Sequence, residues 1–391
     1  MIALCELSFV DGTHAPFNAG LLATIEEAFP KEEVGFFGTP AHIAELKQQV
    51  GEQLAGSISW KDIVPPPPGT AYLTRFFCEL SIIRSALRTL PRDATSRLIL
   101  TSAYPSTVLA LKFALWYGFR KIPVQVFLHG MSGVVGKRYR RPIRRMQETR
   151  TALTLLGNKG IQYLVLEDSI RNNVLNSIPS LRPYIAVLEH PVSPHEGGSQ
   201  TSELSSPIQF GFLGLALKSK GFPLFVETAQ VITARYEQQA QFHAIGRWAE
   251  DDESAQGLEV LASKPTYAQL PRADFLKAIS KLHFIVLPHD PAFYSLTASG
   301  VLLDAIAFQK PIIARKMPIF ETMFERHGDI GYLFDNGTDL QGIIGQILQA
   351  RDKLRYQRQV LNLKKLRESR APQALATAYR ELCTAHVGGL G

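Results

Sequence analysis

The sequence is poor in cysteine: Cys5, Cys78 and Cys383 lie far apart among 391 residues, with no CxxC and no Cys/His ligand spacing. That pattern excludes a disulfide framework and gives no basis for a structural zinc site, so a reducing cytoplasm is the expected compartment. Long apolar runs are lacking as well. The longest, Val108 to Phe119, is interrupted by Lys112 and falls short of the roughly 20 residues a membrane span needs, so no span is predicted. The N-terminus, MIALCELSFVDG, has no basic leader, and its apolar run stops at Glu6. It reads as a first core strand, not as a signal peptide. No short repeat or long low-complexity tract occurs, and PPPP at 65–68 reads as a stiff loop.

What is present is a globular composition, 46% hydrophobic and 20% charged, on a chain long enough to form two domains of ordinary size. The net charge of +7 is unevenly spread. Residues 137–150, KRYRRPIRRMQETR, hold seven cations and one acid, and without them the first half is slightly acidic. A second basic run, 351–370, has eight cations against two acids. Two local patches fit an anionic ligand or surface better than nucleic acid, since no stacking aromatics interleave the first patch beyond Tyr139.

Short β-rich runs alternate with helix-period segments along the chain. IALCELSFV, EVGFFG, SRLILTSA, VQVFLHG, QYLVLED and YIAVLEH precede residue 192, with helices expected at Leu73 to Leu90 and Ser106 to Tyr117. PIQFGFLG, FHAIG, HFIVLPH, PIIA and IGYLF follow residue 207. Such alternation predicts α/β architecture with parallel sheets covered by helices. SPHEGGSQTSELSSP reads as a linker over 193–207, separating a domain at 1–192 from one at 208–391. From Thr338 a long helical stretch is expected to end the second domain, with a break near Pro372.

In open parallel sheets, ligands bind beyond the C-terminal strand ends, where helix N-termini offer free N–H groups. In FGFLGLALKSKGF a strand ends near Gly214, and Lys218 and Lys220 precede Gly221 and a helix starting near Pro223. These lysines are either solvated loop residues or partners for a diphosphate. In TASGVLLDAIAFQKPIIA the carboxylate of Asp304 interrupts an apolar helix. Helical spacing puts Thr297, Gly300, Val301 and Asp304 on one face. Two readings stay open: phosphate against the N–H groups near Ser299 and Gly300 with sugar hydroxyls on Asp304, or Asp304 paired with a neighbouring Arg or Lys.

These stretches, from GFLGLALKSKGF through LPHDPAFYSLTASGVLLDAIAFQKPIIA, resemble the nucleotide-binding half of GT-B glycosyltransferases, in particular the family 4-like enzymes of cell-surface glycan synthesis. Lys220-Gly221 matches the family's Lys-Gly step, Pro288 its strand end, and Ala305, Ala307 and Lys310-Pro311 its A-x-A-x-G-x-P pattern. The chain departs from the family's E-x7-E, with Leu296 at the first Glu and Asp304 at the second, and Gln309 stands where the family has Gly. The resemblance implies two Rossmann-like domains facing across a cleft. It also implies a donor site of Gly214, Lys218, Lys220, Thr297, Ser299, Gly300 and Asp304, with His289 or Asp290 replacing the absent Glu.

In the first half, VQVFLHGMSGVVGKRYRR ends a strand at His129 before Gly130, Gly133 and Gly136. His is the side chain best suited to proton transfer near neutral pH, and the family often has a His there facing the donor sugar, so His129 is the catalytic candidate. Within DGTHAPFNAG, His14 and Asn18 are expected on the acceptor side. Pro142 suits a helix N1 position, which puts Arg140 and Arg141 in the loop and Arg144 and Arg145 in the first turn, against the dipole. Lipid phosphates or an acceptor diphosphate are their expected partners, with plain solubility as the alternative.

The expected function is therefore transfer of a hexosyl group from a UDP- or GDP-linked donor to a glycan or lipid-linked acceptor, in polysaccharide, lipopolysaccharide or glycoconjugate synthesis. No cofactor or metal is expected, because no DxD-type pair ends a suitable strand. The protein is expected in the cytoplasm, in peripheral contact with the anionic inner face of the membrane. A sugar-nucleotide epimerase and a non-catalytic membrane-associated binding protein are the alternatives.

Overall fold

The computed structural model describes the chain apart from residues 11, 68, 92–94, 120–121, 130–138, 194–202, 249–256, 269, 292–299 and 389–391. It divides into two compact units, residues 1–195 with 370–391, and residues 196–295 with 299–369.

The first unit is built on seven parallel strands: β1 (Ile2–Cys5), β2 (Val34–Gly38), β3 (Ile58–Asp62), β4 (Arg97–Leu100), β5 (Val124–Phe127), β6 (Ile161–Val165) and β7 (Ile185–Val187). Their spatial order is β3-β2-β1-β4-β5-β6-β7. The strands are apolar at nearly every position because both faces are covered, as parallel sheets require. Along β1, Ala3 and Cys5 enter one core with the helices Tyr72–Thr89 and Pro105–Ala114. Ile2 and Leu4 enter the other, with the helices Ala15–Ala28 and Pro40–Val50. The six strands expected from the sequence are present, and β3 is an additional edge strand. Its ISWKD grades from a buried Ile58 to exposed Lys61 and Asp62, so it carries little of the apolar signal of a core strand.

The second unit has β8 (Ile208–Leu213), β9 (Ala240–Ile245), β10 (Phe284–Leu287), β11 (Ile312–Arg315) and β12 (Gly331–Phe334), all parallel, in the order β12-β11-β10-β8-β9. All five were expected. A phenylalanine stack, Phe242–Phe210–Phe284, crosses three neighbouring strands with ring centroids 5.3 and 5.6 Å apart. In each sheet the strand order reverses once, between β1 and β4 and between β8 and β10. These switch points are where crossover helices diverge and leave a crevice at the strand ends.

One expectation about the domains is corrected. The C-terminal stretch is three helices, Gly337–Ala350, Lys353–Ser369 and Pro372–Gly388, and the last belongs to the first unit. Its buried Ala376, Tyr379 and Cys383 follow helical spacing and complete the core on one face of the first sheet. Tyr379 Oη donates to Gln125 Oε1 at 2.6 Å, and Arg370, 1% exposed, pairs with Glu167 at 2.8 Å. Full burial of a side chain the size of Tyr379 contributes about 2 kcal/mol, enough to fix where the helix docks. Pro372 occupies the expected break. The earlier break rests on Arg351, whose φ of 44° closes the preceding helix and has no counterpart in the periodicity.

Candidate functional site

At the switch point of the first sheet, Glu6 follows β1 directly and is fully buried. Its Oε1 accepts from the backbone N–H groups of Ser8 at 3.0 Å and Phe9 at 3.2 Å, and from the Ser102 hydroxyl. Its Oε2 accepts from His14 Nδ1 at 2.5 Å, Thr101 Oγ1 at 2.9 Å and Asn18 Nδ2 at 3.3 Å. Burial pushes the carboxyl up, but the charge and hydrogen bond of His14, with Ser102 and the Ser8 N–H, outweigh it and hold the group well below the usual carboxylate range. Glu6 is thus a buried anion built into the fold. An acid closing an otherwise apolar first strand is its mark in the sequence.

His14 joins this anion to the catalytic candidate. It is 5% exposed, ends the short turn Gly12–His14 before the helix Ala15–Ala28, and places Nε2 3.0 Å from His129 Nδ1. His129 lies two residues beyond β5 and is partly exposed. Phe17 stands edge-on to it at 5.2 Å, with His190 at 5.9 Å. Burial, then the neighbouring His14 and His190, drive the His129 pKa well below the ordinary imidazole value against the pull of Glu6. Burial likewise takes His190 down to about 3.

Asn18 departs from its expected place. It is fully buried, and its amide serves Glu6 and His42, with Nδ2 2.9 Å from His42 Nε2. It supports the cluster from behind and does not line an acceptor surface. Arg140, Arg141, Arg144 and Arg145 are exposed as expected, and Pro142 does open a helix, but that helix is the single turn Pro142–Arg145. So short a helix has no appreciable macrodipole, and the expected conflict with its arginines lapses. Lys137 and Arg138 lie outside the described residues.

In the second unit the two lysines part company. Lys218, Ser219 and Lys220 form a turn ending at Gly221, with φ of 76°. A Cβ there would lie 1.9 Å from the Pro288 carbonyl oxygen, so only glycine lets the turn pass the end of β10. Lys218 is exposed, whereas Lys220 is drawn inward at the switch point. A Cβ built on Gly214 would lie 3.3 Å from Lys220 Nζ and 3.5 Å from Val301 Cγ2, so the ammonium rests over bare backbone beside the first turn of the helix Gly300–Ala307. Burial lowers the Lys220 pKa and Asp304 raises it.

Asp304 has the partner its burial demands: Arg272 Nη2, from the first turn of the helix Arg272–Ser280, lies 2.8 Å from its Oδ1. The structure contains the pairing with a neighbouring cation, with Lys220 as a second positive neighbour. Arg272 was not foreseen, since helix spacing within one segment says nothing about a residue 32 positions away. His289, 2% exposed, has Nδ1 3.3 Å from the Lys220 carbonyl oxygen, and Asp290 N–H bonds Ser219 O at 3.1 Å. Both hold the lysine turn in place, and burial brings His289 down to about 4. Gly300 is exposed at its helix start, while Thr297 and Ser299 lie outside the described residues. Gln309, in place of the family's glycine, takes φ of 54°, so the turn keeps its left-handed residue without the glycine.

No family model and no curated protein sequence matches the chain. Its likeness is to solved structures. The Escherichia coli trehalose-6-phosphate protein bound with UDP-2-fluoro glucose superposes with a TM-score of 0.67 at 10% identity, over 98% of this chain and 99% of that one. A glycosyltransferase from Rickettsia africae ESF-5 gives 0.66 at 10% identity, covering 98% of each. TarM gives 0.59 at 14% identity over 78% of this chain, which spans 58% of TarM's length. These neighbours are GT-B glycosyltransferases, and the two parallel-sheet units described above are the two Rossmann-like domains of that fold.

Proposed function

We propose that the protein is a glycosyltransferase that moves a hexosyl group from a UDP- or GDP-linked donor to a hydroxyl of a glycan or lipid-linked acceptor. The observation that carries this reading is Lys220, an ammonium drawn into the switch point of the second sheet, resting over Gly214 with Asp304 opposing the effect of its burial. An ammonium in a partly dry crevice beside the start of the helix Gly300–Ala307 suits a pyrophosphate. Structures sharing the fold were solved with UDP-2-fluoro glucose and with UDP, which supports uridine diphosphate as the first probe.

In this reading the bond between sugar C1 and the diphosphate oxygen breaks with its electron pair leaving on the diphosphate. Lys220, the exposed Lys218 and the N–H groups at Gly300 meet that growing charge, so side chains and backbone supply what a metal ion would. Asp304 opposes the lowering of the Lys220 pKa by burial and, held by Arg272, stands one turn inside the helix Gly300–Ala307 for the donor's hydroxyls. The acceptor oxygen bonds C1 and gives up its proton, and His129 is the group of the first unit suited to receive it.

A peripheral membrane contact is part of the proposal, supported by an exposed aromatic band on the first unit. Phe77, Phe76, Phe113, Tyr117 and Trp116 form a continuous chain of ring contacts, and Phe77, Tyr117 and Trp116 are more than half exposed. Tyr72 Oη donates to Met146 O at 2.8 Å, tying the helix that carries Phe77 to the segment bearing Arg144 and Arg145. Rings beside arginines suit the interface of an anionic bilayer on the cytoplasmic side. No helix among the described residues is long and apolar enough to cross a membrane.

Thermal unfolding with UDP, GDP and their hexosyl derivatives tests the donor reading. One nucleoside diphosphate is expected to raise the melting temperature, and Lys220→Ala to abolish the rise. An equal rise in the variant removes Lys220 from the site and with it the reading.

A further inference from the structure

We propose that Glu6, His14 and His129 form a proton relay in which His129 takes the proton of the attacking hydroxyl and His14, paired with Glu6, stores it. The proposal rests on the transferase reading for its substrate but on the first unit alone for its geometry. The buried Glu6 carboxylate can only accept, so His14 Nδ1, 2.5 Å from it, carries a proton. That fixes what the other ring nitrogens do. With one proton on His14, its Nε2 is an acceptor, and the 3.0 Å contact to His129 Nδ1 requires that nitrogen to donate. His129 Nε2 is then left with a free electron pair, the form a general base needs. With two protons on His14 the bond reverses: Nε2–H donates to His129 Nδ1, and the His129 proton resides on Nε2.

The two states are related by one proton. The acceptor hydroxyl gives its proton to His129 Nε2, His129 Nδ1–H passes to His14 Nε2, and the positive charge comes to rest beside the Glu6 carboxylate. His129 is neutral before and after, which matters because its surroundings disfavour a cation. Among the described residues, the groups facing it are His14, His190 and the Glu6 charge behind His14, with Phe9 and Phe17 as apolar walls. Arg370 lies behind His190, and Asn18 and His42 lie behind Glu6. A lone His129 imidazolium would stand among imidazoles and rings, whereas a His14 imidazolium has a carboxylate in contact. Oxygen donors further fix Glu6 through Ser102 and Thr101, so the acceptor end of the relay does not swing away. His129 is the one catalytic residue of the three, and Glu6 and His14 act through it.

Long-range nitrogen–proton NMR on the full chain, with nitrogen-15 histidine and His14→Gln and His129→Asn for assignment, reads the tautomers directly. The expected result is a single pH step in which His14 gains its second proton while the His129 proton moves from Nδ1 to Nε2 and that ring stays neutral. Glu6→Gln is expected to uncouple the two events. A His129 tautomer that does not change as His14 titrates overturns the relay, whether or not Glu6→Gln folds. With a donor in hand, His14→Gln is expected to lower kcat on the order of 100-fold or more with KM little changed. Coupled tautomers without any consumption of sugar nucleotide would sink the transferase reading and leave the relay standing. Transfer activity with uncoupled tautomers would sink the relay alone.

Discussion

Arg272 and Asp304 meet at 2.8 Å in the second unit, and Lys220 lies close enough for Asp304 to raise its pKa. Two basic side chains therefore act on one carboxylate at a strand-end crevice. An arrangement made only to satisfy the Asp304 charge would need one cation, and the second is the one that rests over the bare backbone of Gly214.

For the proposed donor site, that geometry sets the pH dependence of nucleotide binding. Lys220 must be protonated to hold a diphosphate, so affinity is present at lower pH and lost as pH rises through its pKa. Asp304→Asn removes the group that raises this pKa and takes a counter-charge away from Arg272, which pushes in the same direction. Calorimetric titration with UDP from neutral to alkaline pH is expected to show the loss at lower pH in the variant. A midpoint that stays or moves upward would mean that Lys220 is not the titrating group.

Glu6 governs acid stability. Its folded pKa lies below the unfolded value, so its stabilisation is fully present above the ordinary carboxylate range and is lost as pH falls below it. Glu6→Gln places an amide N–H among donors and is expected to cost roughly 3 kcal/mol at neutral pH. Urea unfolding should show that deficit shrinking as pH falls toward the folded pKa. A variant as stable as the parent at pH 7 would contradict the buried anion.

Gly221→Ala tests the turn that carries Lys220. The new methyl would meet the Pro288 carbonyl and force a left-handed alanine, for a loss of about 2 kcal/mol or more. Chemical denaturation measures the loss. Full stability would show that the turn can move off the end of β10.

The aromatic band gives a surface prediction. Phe77→Ser with Trp116→Ser, at exposed sites, should change stability by no more than about 0.5 kcal/mol each while abolishing sedimentation with anionic vesicles. Arg144→Glu with Arg145→Glu should weaken the same binding in a salt-dependent way. Unaltered vesicle binding in both pairs would remove this face from the membrane.

Local pattern was enough for most of the fold. Among the described residues, eleven of twelve strands stand out because each is a short apolar run bounded by turn residues, and the one that does not, β3, carries Lys61 and Asp62 at an edge. The helix break at Pro372 was legible from proline's missing N–H. The break at Arg351 was not, because a left-handed arginine leaves no compositional mark. Among site residues, the lysine turn and His129 were visible as strand-end chemistry. Glu6 stands in the sequence only as a break in an apolar run, and nothing local to Arg272 points to a partner 32 positions away.

By itself the sequence determined the alternation of strands and helices, the two sheets, and which strand ends carry lysine or histidine, because periodicity and turn chemistry act over a few residues. Only the tertiary structure decided which charges meet. It took Lys220 inward and left Lys218 in solvent, joined Arg272 to Asp304 across 32 positions and His14 to His129 across 115, and returned the last helix to the first sheet. Those outcomes depend on burial and on strand order, and a buried charge takes whichever partner the sheet topology brings within reach.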